Sequence, residues 1–147
     1  MVHVVWSTRD RRPTIGTDGD ARLARSIRVA CARVASEALA VGNADDHVHV
    51  LLALHPATAL AEAVQRMKGT SLHDWNLLPV VRLRWQTGYW ARTLAPEDIG
   101  PVIAYVNHQR MHHRTATIRP SWEQTVATVV DDSLTLGGDG EKPAKRA

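Results

Sequence analysis

The sequence predicts an α+β fold in which helices cover one face of an antiparallel sheet. Segments with β-branched and aromatic residues alternate with segments of helical periodicity in the order β, α, β, β, α, β, and a further helix follows. The chain has 147 residues, of which 44% are hydrophobic, so one core is expected. We therefore predict a single domain over residues 1–135 and a disordered, Gly-rich and charged tail over residues 136–147.

The first half of the chain provides a strand, a helix and a hairpin. Residues 3–8, "HVVWST", are typical of a strand, and the breaker "RDRRP" follows them. From about residue 18 to residue 40, apolar residues recur at helical spacing and several arginines occupy the polar side. The segment "EALAVGNAD" is a weaker strand candidate and "HVHVLLALH" a strong one, so the two can form a hairpin.

The second half provides a helix, a strand and a last helix. "TALAEAVQRMKG", residues 58–69, begins with a capping-type Thr and ends at a Gly, as a helix does. "WQTGYWARTLA" is strand-like, and helical spacing returns from Pro96 or Pro101 to about His113. The later segment "PSWEQTVATVVDDSL" is compatible with one more short element.

Composition limits the partners and the compartment. The net charge of +3 and a pI near 9.5 favour a partner rich in phosphate, and eight histidines can add positive charge near an anion. The only cysteine, Cys31, excludes an internal disulfide and a zinc site built from cysteines. No apolar run reaches the roughly 18 residues of a membrane span, and the first residues do not resemble a signal peptide. We expect a cytoplasmic protein with no membrane partner.

Two histidines, His47 and His49, lie one residue apart in the strongest predicted strand. Side chains alternate between the faces of a strand, so the aliphatic residues at 48, 50 and 52 face the core while both imidazoles share the other face. Their Cα atoms are then roughly 6.5 to 7 Å apart, which allows both rings to bind one metal ion. The alternative is that both rings are merely solvated. Asp45 and Asp46 could fix an imidazole tautomer, or could simply form the turn.

The last predicted helix offers further candidates, because two histidines are too few for a protein metal site. In "AYVNHQRMHHR", Tyr105 and Gln109 are four residues apart, and the apolar residues of the helix lie on a different side. We therefore expect the phenol and the carboxamide to project together, away from the core. The alternative is a boundary tyrosine beside a solvated glutamine.

Five segments together resemble the single-tyrosine transposases of the IS200/IS605 type, including the REP-associated tyrosine transposases, within the HUH endonuclease superfamily. In order they are "HVVWSTRDRRP", "DDHVHVLLALHP", "VQRMKGTSL", "WQTGYWARTL" and "YVNHQRMHHR", between about residues 2 and 114. The resemblance implies a ferredoxin-like, RRM-like sheet with the histidine pair on a central strand and the tyrosine on a following helix. Relaxases of the superfamily place the tyrosine before the histidines, whereas Tyr105 follows them here.

The resemblance also implies the chemistry. His47, His49 and Gln109 would hold a divalent metal, either Mg²⁺ or Mn²⁺, and Tyr105 would attack single-stranded DNA at hairpin ends to leave a 5′-phosphotyrosine. A phenoxide suits this role because, with a pKa near 10 for its phenol, it is both a usable nucleophile and a good leaving group. Members of the family act as homodimers or as monomers, and the sequence does not decide between them.

Cations and aromatic rings are needed to bind such DNA. The five tryptophans are expected to fill the core rather than to stack on bases. Two other functions stay open: a catalytically inactive or domesticated RRM-like nucleic-acid-binding protein, and a metal-dependent hydrolase that does not need Tyr105. The candidate DNA-binding residues are Arg9, Arg11, Arg12, Lys68, Arg92, His112, His113 and Arg114.

Overall fold

A computed structural model describes residues 1–125 of the chain. The predicted end of the domain at residue 135 and the predicted tail over 136–147 therefore lie outside the described residues. The described part contains four strands and four α-helices, in the order β1 Val2–Ser7, α1 Asp20–Ala32, β2 Glu37–Asn43, β3 His47–Ala53, α2 Leu60–Asn76, β4 Trp90–Thr93, α3 Pro96–Asn107 and α4 Gln109–Arg114. Within this range, no helix is long and apolar enough to cross a membrane.

The strands form one antiparallel sheet in the order β2-β3-β1-β4. This arrangement is the one expected when two βαβ-type units share a sheet, and the predicted fold class is confirmed. The two central strands, β1 and β3, are paired so that Ser7 faces His47 and Val5 faces His49. The strand segment that carries the histidines is therefore flanked by a strand on each side.

Each face of the sheet has its own core. Helices α1 and α2 cover one face and pack on alternate residues of the central strands, among them Trp6, Val48 and Val50. Helix α3 packs on β2 and β3, and its cluster contains Val102, Tyr105 and Leu51 of the neighbouring strand. The second face is thus not exposed to solvent along α3, because this helix covers it with an apolar contact of its own.

Several element boundaries differ from the sequence prediction. Helix α1 ends at Ala32 rather than near residue 40, because Ala35 adopts a positive φ of 53° and Ser36 N–H donates to the Cys31 carbonyl. Such a helix end is usually marked by Gly, so an alanine gave no signal. Helix α2 continues to Asn76, seven residues past Gly69, whereas the predicted strand over residues 85–95 is regular only from Trp90 to Thr93.

The last predicted helix is two helices. Helix α3 ends at Asn107, and α4 begins at Gln109. His108 has non-helical backbone angles, and its Nδ1 lies 2.7 Å from the carbonyl oxygen of Ala104. Pro101 is accommodated inside α3 without ending it. The break therefore falls between Tyr105 and Gln109.

Candidate active site

The predicted histidine pair lies on the second face of the sheet, under α3 and the segment that follows α4. His47 and His49 alternate with Val48 and Val50, which face the first core, as the strand pattern predicts. Both imidazoles are fully buried, so the interpretation in which they are simply solvated is wrong. Their ring centroids are 5.0 Å apart.

Tyr105 and Gln109 are buried as well, with 3% and 2% of their surfaces exposed. The prediction that both side chains project away from the core is therefore wrong. They do lie on one side of the α3–α4 pair, but this side faces the sheet, where the Tyr105 ring centroid is 6.0 Å from that of His49. Helix α3 covers a second core, so its apolar residues and Tyr105 pack against the same face of the sheet.

Glu123 joins the tyrosine to the histidines. One oxygen, Oε2, lies 3.0 Å from Nε2 of His47, 3.5 Å from Nε2 of His49 and 3.3 Å from Nε2 of His113. The other oxygen, Oε1, accepts a hydrogen bond from the Tyr105 hydroxyl. The phenol oxygen and three imidazole nitrogens are thus gathered around one carboxylate.

Two members of this cluster were not assigned to catalysis or metal binding from the sequence: Glu123 was not singled out, and His113 was assigned to DNA binding. Glu123 follows a short turn of 3-10 helix, Pro120–Trp122, in a segment whose sequence pattern is weak, so no local signal indicated it. His113 had a signal, because the four-residue spacing of Tyr105, Gln109 and His113 would bring all three to one side of a helix. In the structure, the centroid of the His113 ring lies 4.8 Å from that of His47.

Burial and charge set the protonation of the cluster. Burial lowers the pKa of His49 to about 4. Burial also disfavours the charged form of His47, but contacts with Asp46 and Glu123 outweigh it and raise its pKa. Glu123 is ionised, because its contacts with His47 and His49 outweigh burial and hold its pKa far below the usual range. Burial and the hydrogen bond to Glu123 raise the pKa of Tyr105 to about 12.

The donor atoms of the cluster fit a divalent metal ion. Ligand atoms of His47, His113 and Glu123 all lie within 4.8 Å of one another. Oε1 of Gln109 is buried and makes no hydrogen bond within the described part of the chain, and the buried Nε2 atoms of His47 and His49 have there only the Glu123 carboxylate as a neighbour, without good hydrogen-bond geometry. Buried polar atoms of this kind are costly unless a partner is supplied, and imidazole nitrogen with amide or carboxylate oxygen is a donor set that Mn²⁺ and Mg²⁺ accept.

The aspartates before the strand have different roles. Asp46 Oδ1 lies 2.6 Å from Nδ1 of His47, which is the tautomer-fixing contact that the sequence left open. Asp45 instead pairs with Arg110, whose guanidinium also binds Asp20 through contacts of 2.6 and 2.7 Å. This network fixes the start of α4 against α1 and the β2–β3 turn, and so holds Gln109 in place.

Some of the predicted DNA-binding residues lie around the site. Arg11 pairs with Asp46 at 3.0 Å, and the His112 ring stacks on Tyr105 with centroids 4.5 Å apart. Arg114 lines an open pocket of about 610 Å³ together with Asp46 and His113. The pocket therefore opens onto the exposed His113 of the cluster and onto Asp46, the partner of His47.

Two others line a second cleft, of about 570 Å³, at the end of β1. Arg9 and Arg12 lie there with Arg82 and Arg84, which were not among the predicted DNA-binding residues. The backbone N–H of Arg9 donates to the Arg84 carbonyl, and this bond holds the two segments together. The cleft follows directly after Ser7, the strand partner of His47, and is strongly basic.

The remaining two have partners of their own. The Lys68 ammonium donates to the backbone carbonyls of Gln86 and Gly88, and burial lowers its pKa. These contacts of the lysine stabilise the loop that contains Gln86 and Gly88. Arg92 lies opposite His3 in the register of strands β1 and β4, and its guanidinium is 3.7 Å from Oδ2 of Asp98.

Comparisons with known structures show the same fold. The structure is similar to a Deinococcus radiodurans R1 protein provisionally described as a transposase, with a TM-score of 0.58 and 21% identity over 74% of this chain and 89% of that one. It is also similar to a REP-associated tyrosine transposase bound to a REP hairpin, with a TM-score of 0.59 and 17% identity over 76% of this chain and 67% of that one.

Among curated proteins, none matches the chain significantly. The profile of the family described as "Transposase IS200 like" matches residues 1–109, about three quarters of the chain. The match includes the histidine pair, Tyr105 and Gln109. The chain therefore belongs to the IS200-like transposase family.

Proposed function

We propose that the protein cuts and rejoins single-stranded DNA through a covalent bond to Tyr105, with a divalent metal held beside it. The observation that carries the proposal is the shared contact of Glu123, which touches the Tyr105 hydroxyl and the Nε2 atoms of His47 and His49. A phosphate that reached the phenol would therefore also be next to the metal-binding nitrogens.

In this proposal His47, His49 and Gln109 hold the metal, and Glu123 and His113 are further donors at the same point. The ion, Mg²⁺ or Mn²⁺, would polarise the scissile phosphate and neutralise charge on its oxygens. Tyr105 supplies the nucleophile, and the 5′-phosphotyrosine keeps the energy of the broken phosphodiester for rejoining. The released 3′-hydroxyl can later attack the tyrosyl phosphate and regenerate the free phenol.

Substrate access requires a local movement. The Tyr105 hydroxyl is nearly inaccessible, since it donates to Glu123 and accepts a hydrogen bond of 3.0 Å from the backbone N–H of Arg119. Attack also requires loss of the phenolic proton, which burial and the Glu123 contact oppose by raising the pKa. Both obstacles are removed if residues 119–123 release the phenol when DNA binds.

The DNA substrate is proposed to be a strand with a hairpin at its end. One structural neighbour is bound to a REP hairpin, and this chain carries a basic cleft with Arg9, Arg12, Arg82 and Arg84 beside the site. Arginines in such a cleft bind the phosphates of a single strand without reading the bases. The hairpin that flanks the gene is the natural probe.

The experiment uses purified protein, Mn²⁺ and a labelled single strand that carries this hairpin. A covalent protein–DNA adduct on a denaturing gel is expected for the wild type and for Tyr89→Phe, the control at the other tyrosine of the chain. Tyr105→Phe should form no adduct and still bind the DNA. Cleavage that survives in Tyr105→Phe would indicate a hydrolase, and binding without any cleavage by the wild type would indicate the inactive alternative.

A further inference from the structure

We propose that His3 is a positioning residue that fixes the ring orientation and tautomer of His49, so that His49 presents Nε2 to the metal. This inference rests on the proposed function, because it assigns His49 as a metal ligand. His3 itself does not touch the position that the metal would occupy. Its role is exerted through His49.

The geometry places His3 directly behind His49. His3 lies in β1 on the face that carries the site, two residue pairs along the ladder from the Val5–His49 pair. Its Nε2 is 3.0 Å from Nδ1 of His49, and the two rings stack with centroids 5.2 Å apart and an interplanar angle of 23°. This contact joins the two central strands.

Among residues 1–125, the hydrogen bonds around His3 give no other reason for a histidine at this position. His3 is fully buried, with the edges of Trp90 and Trp122 packed at centroid distances of 5.5 and 6.5 Å. Its Nδ1 makes no hydrogen bond among the described residues, so within that range the contact with His49 is the only one that satisfies the ring. An aliphatic residue would fill this strand position without burying a polar ring. The imidazole therefore serves the contact with His49.

The same arrangement occurs at the other histidine of the pair. Asp46 occupies Nδ1 of His47 at 2.6 Å, as His3 occupies Nδ1 of His49. The Nε2 atom of each histidine then faces Oε2 of Glu123, and neither nitrogen makes a hydrogen bond of good geometry with a described residue. A metal-binding imidazole usually has its second nitrogen hydrogen-bonded in this way. For His49 to offer the Nε2 lone pair, its Nδ1–H must donate to Nε2 of His3.

The test measures Mn²⁺ affinity directly, by calorimetry or by the electron paramagnetic resonance of free Mn²⁺. His3→Phe keeps a flat ring and removes the acceptor, and should weaken Mn²⁺ binding by about tenfold or more. His3→Gln offers an amide oxygen as acceptor and should restore most of the affinity. His73→Leu, at an exposed histidine of α2, is the matched control and should bind Mn²⁺ like the wild type. Wild-type affinity in a folded His3→Phe protein would overturn the proposal.

A second measurement does not depend on whether the variants fold. The ¹⁵N chemical shifts of the imidazoles in the wild-type protein with Mg²⁺ should show His49 protonated on Nδ1. Protonation of His49 on Nε2 in that state would overturn the proposal. The proposed function fails separately: absence of a Tyr105-dependent adduct would reject strand transfer, whereas loss of Mn²⁺ affinity in His3→Phe would still support the role of His3.

Discussion

A methyl group added at Gly42 should separate the tyrosine helix from the histidines. Gly42 lies in β2 directly opposite His49, and a Cβ built there would be 1.8 Å from the carbonyl oxygen of Val106 and 3.3 Å from Cγ of Gln109. Real contacts of a Cβ are essentially never under 3.0 Å, so the Val106 carbonyl must retreat by at least the difference, 3.0 minus 1.8 Å. Because this carbonyl follows Tyr105 by one residue, the end of α3 moves with it.

The expected cost of Gly42→Ala has two parts. Overpacking of this kind destabilises a protein by about 1–3 kcal/mol. A displacement of about 1 Å at a reacting group can lower the rate about 100-fold, so adduct formation by Tyr105 should fall by that order. The free energy of unfolding is measured by urea denaturation, and the rate of adduct formation by quenching at timed intervals with saturating Mn²⁺.

Gly69 provides a matched control. It lies inside α2, and a Cβ there would meet no side chain or other segment within 4 Å. Gly69→Ala should stabilise the protein by roughly 0.5–1 kcal/mol and leave adduct formation unchanged. If Gly42→Ala formed the adduct at the wild-type rate and unfolded at the wild-type urea concentration, the close approach of α3 to β2 would not be what positions Tyr105.

Two further predictions concern pH and DNA affinity. Burial lowers the pKa of His3 to about 3 and of His49 to about 4, so below pH 6.5 the unfolded chain binds more protons than the folded one. Between pH 7 and pH 5 the free energy of unfolding should therefore fall by roughly 2 kcal/mol for each of these two rings. The raised pKa of His47 acts in the opposite direction and reduces this loss. Urea denaturation at the two pH values measures the change, and equal stabilities would contradict the prediction. The double variant Arg82→Gln and Arg84→Gln should weaken single-strand binding and reduce the slope of log affinity against log salt by about 0.7 for each phosphate that the cleft no longer neutralises, as measured by filter binding. An unchanged slope would exclude this cleft from the DNA path.

The sequence was sufficient for the strand that carries the histidines. Alternation in residues 47–53 separates one aliphatic row from one row with two imidazoles, and the structure places the two rows on opposite faces. The order of elements was also readable, because it depends on periodicity over whole segments. The ends of helices were harder to predict from the sequence. Helix α1 ends at a turn in which Ala35 has a left-handed conformation, and an alanine does not indicate such a turn.

The surroundings of Tyr105 could not be obtained from periodicity. The pattern of α3 indicates one apolar side, and a single core was expected, so Tyr105 was predicted to lie on a solvent side. The sheet has a core on each face, and Tyr105 is part of the second one with Val102 and Val106. Glu123 lies outside every periodic segment, and its contact with the histidines spans more than 70 residues of chain, so only the folded structure can reveal it.

The site depends on the position of β1 between β3 and β4. Because β1 is antiparallel to β3 and Val5 lies opposite His49, the side chain of His3 is the diagonal neighbour of His49 although the two residues are far apart in the sequence. The turn before β3 supplies Asp46 to the other imidazole of the pair. Two contacts from opposite directions therefore orient two rings on one strand, and both contacts are built into the sheet and its turn. Under the proposed function, the orientation of both imidazoles is then established when the sheet forms, before any metal or DNA binds, which lowers the cost of ordering the site.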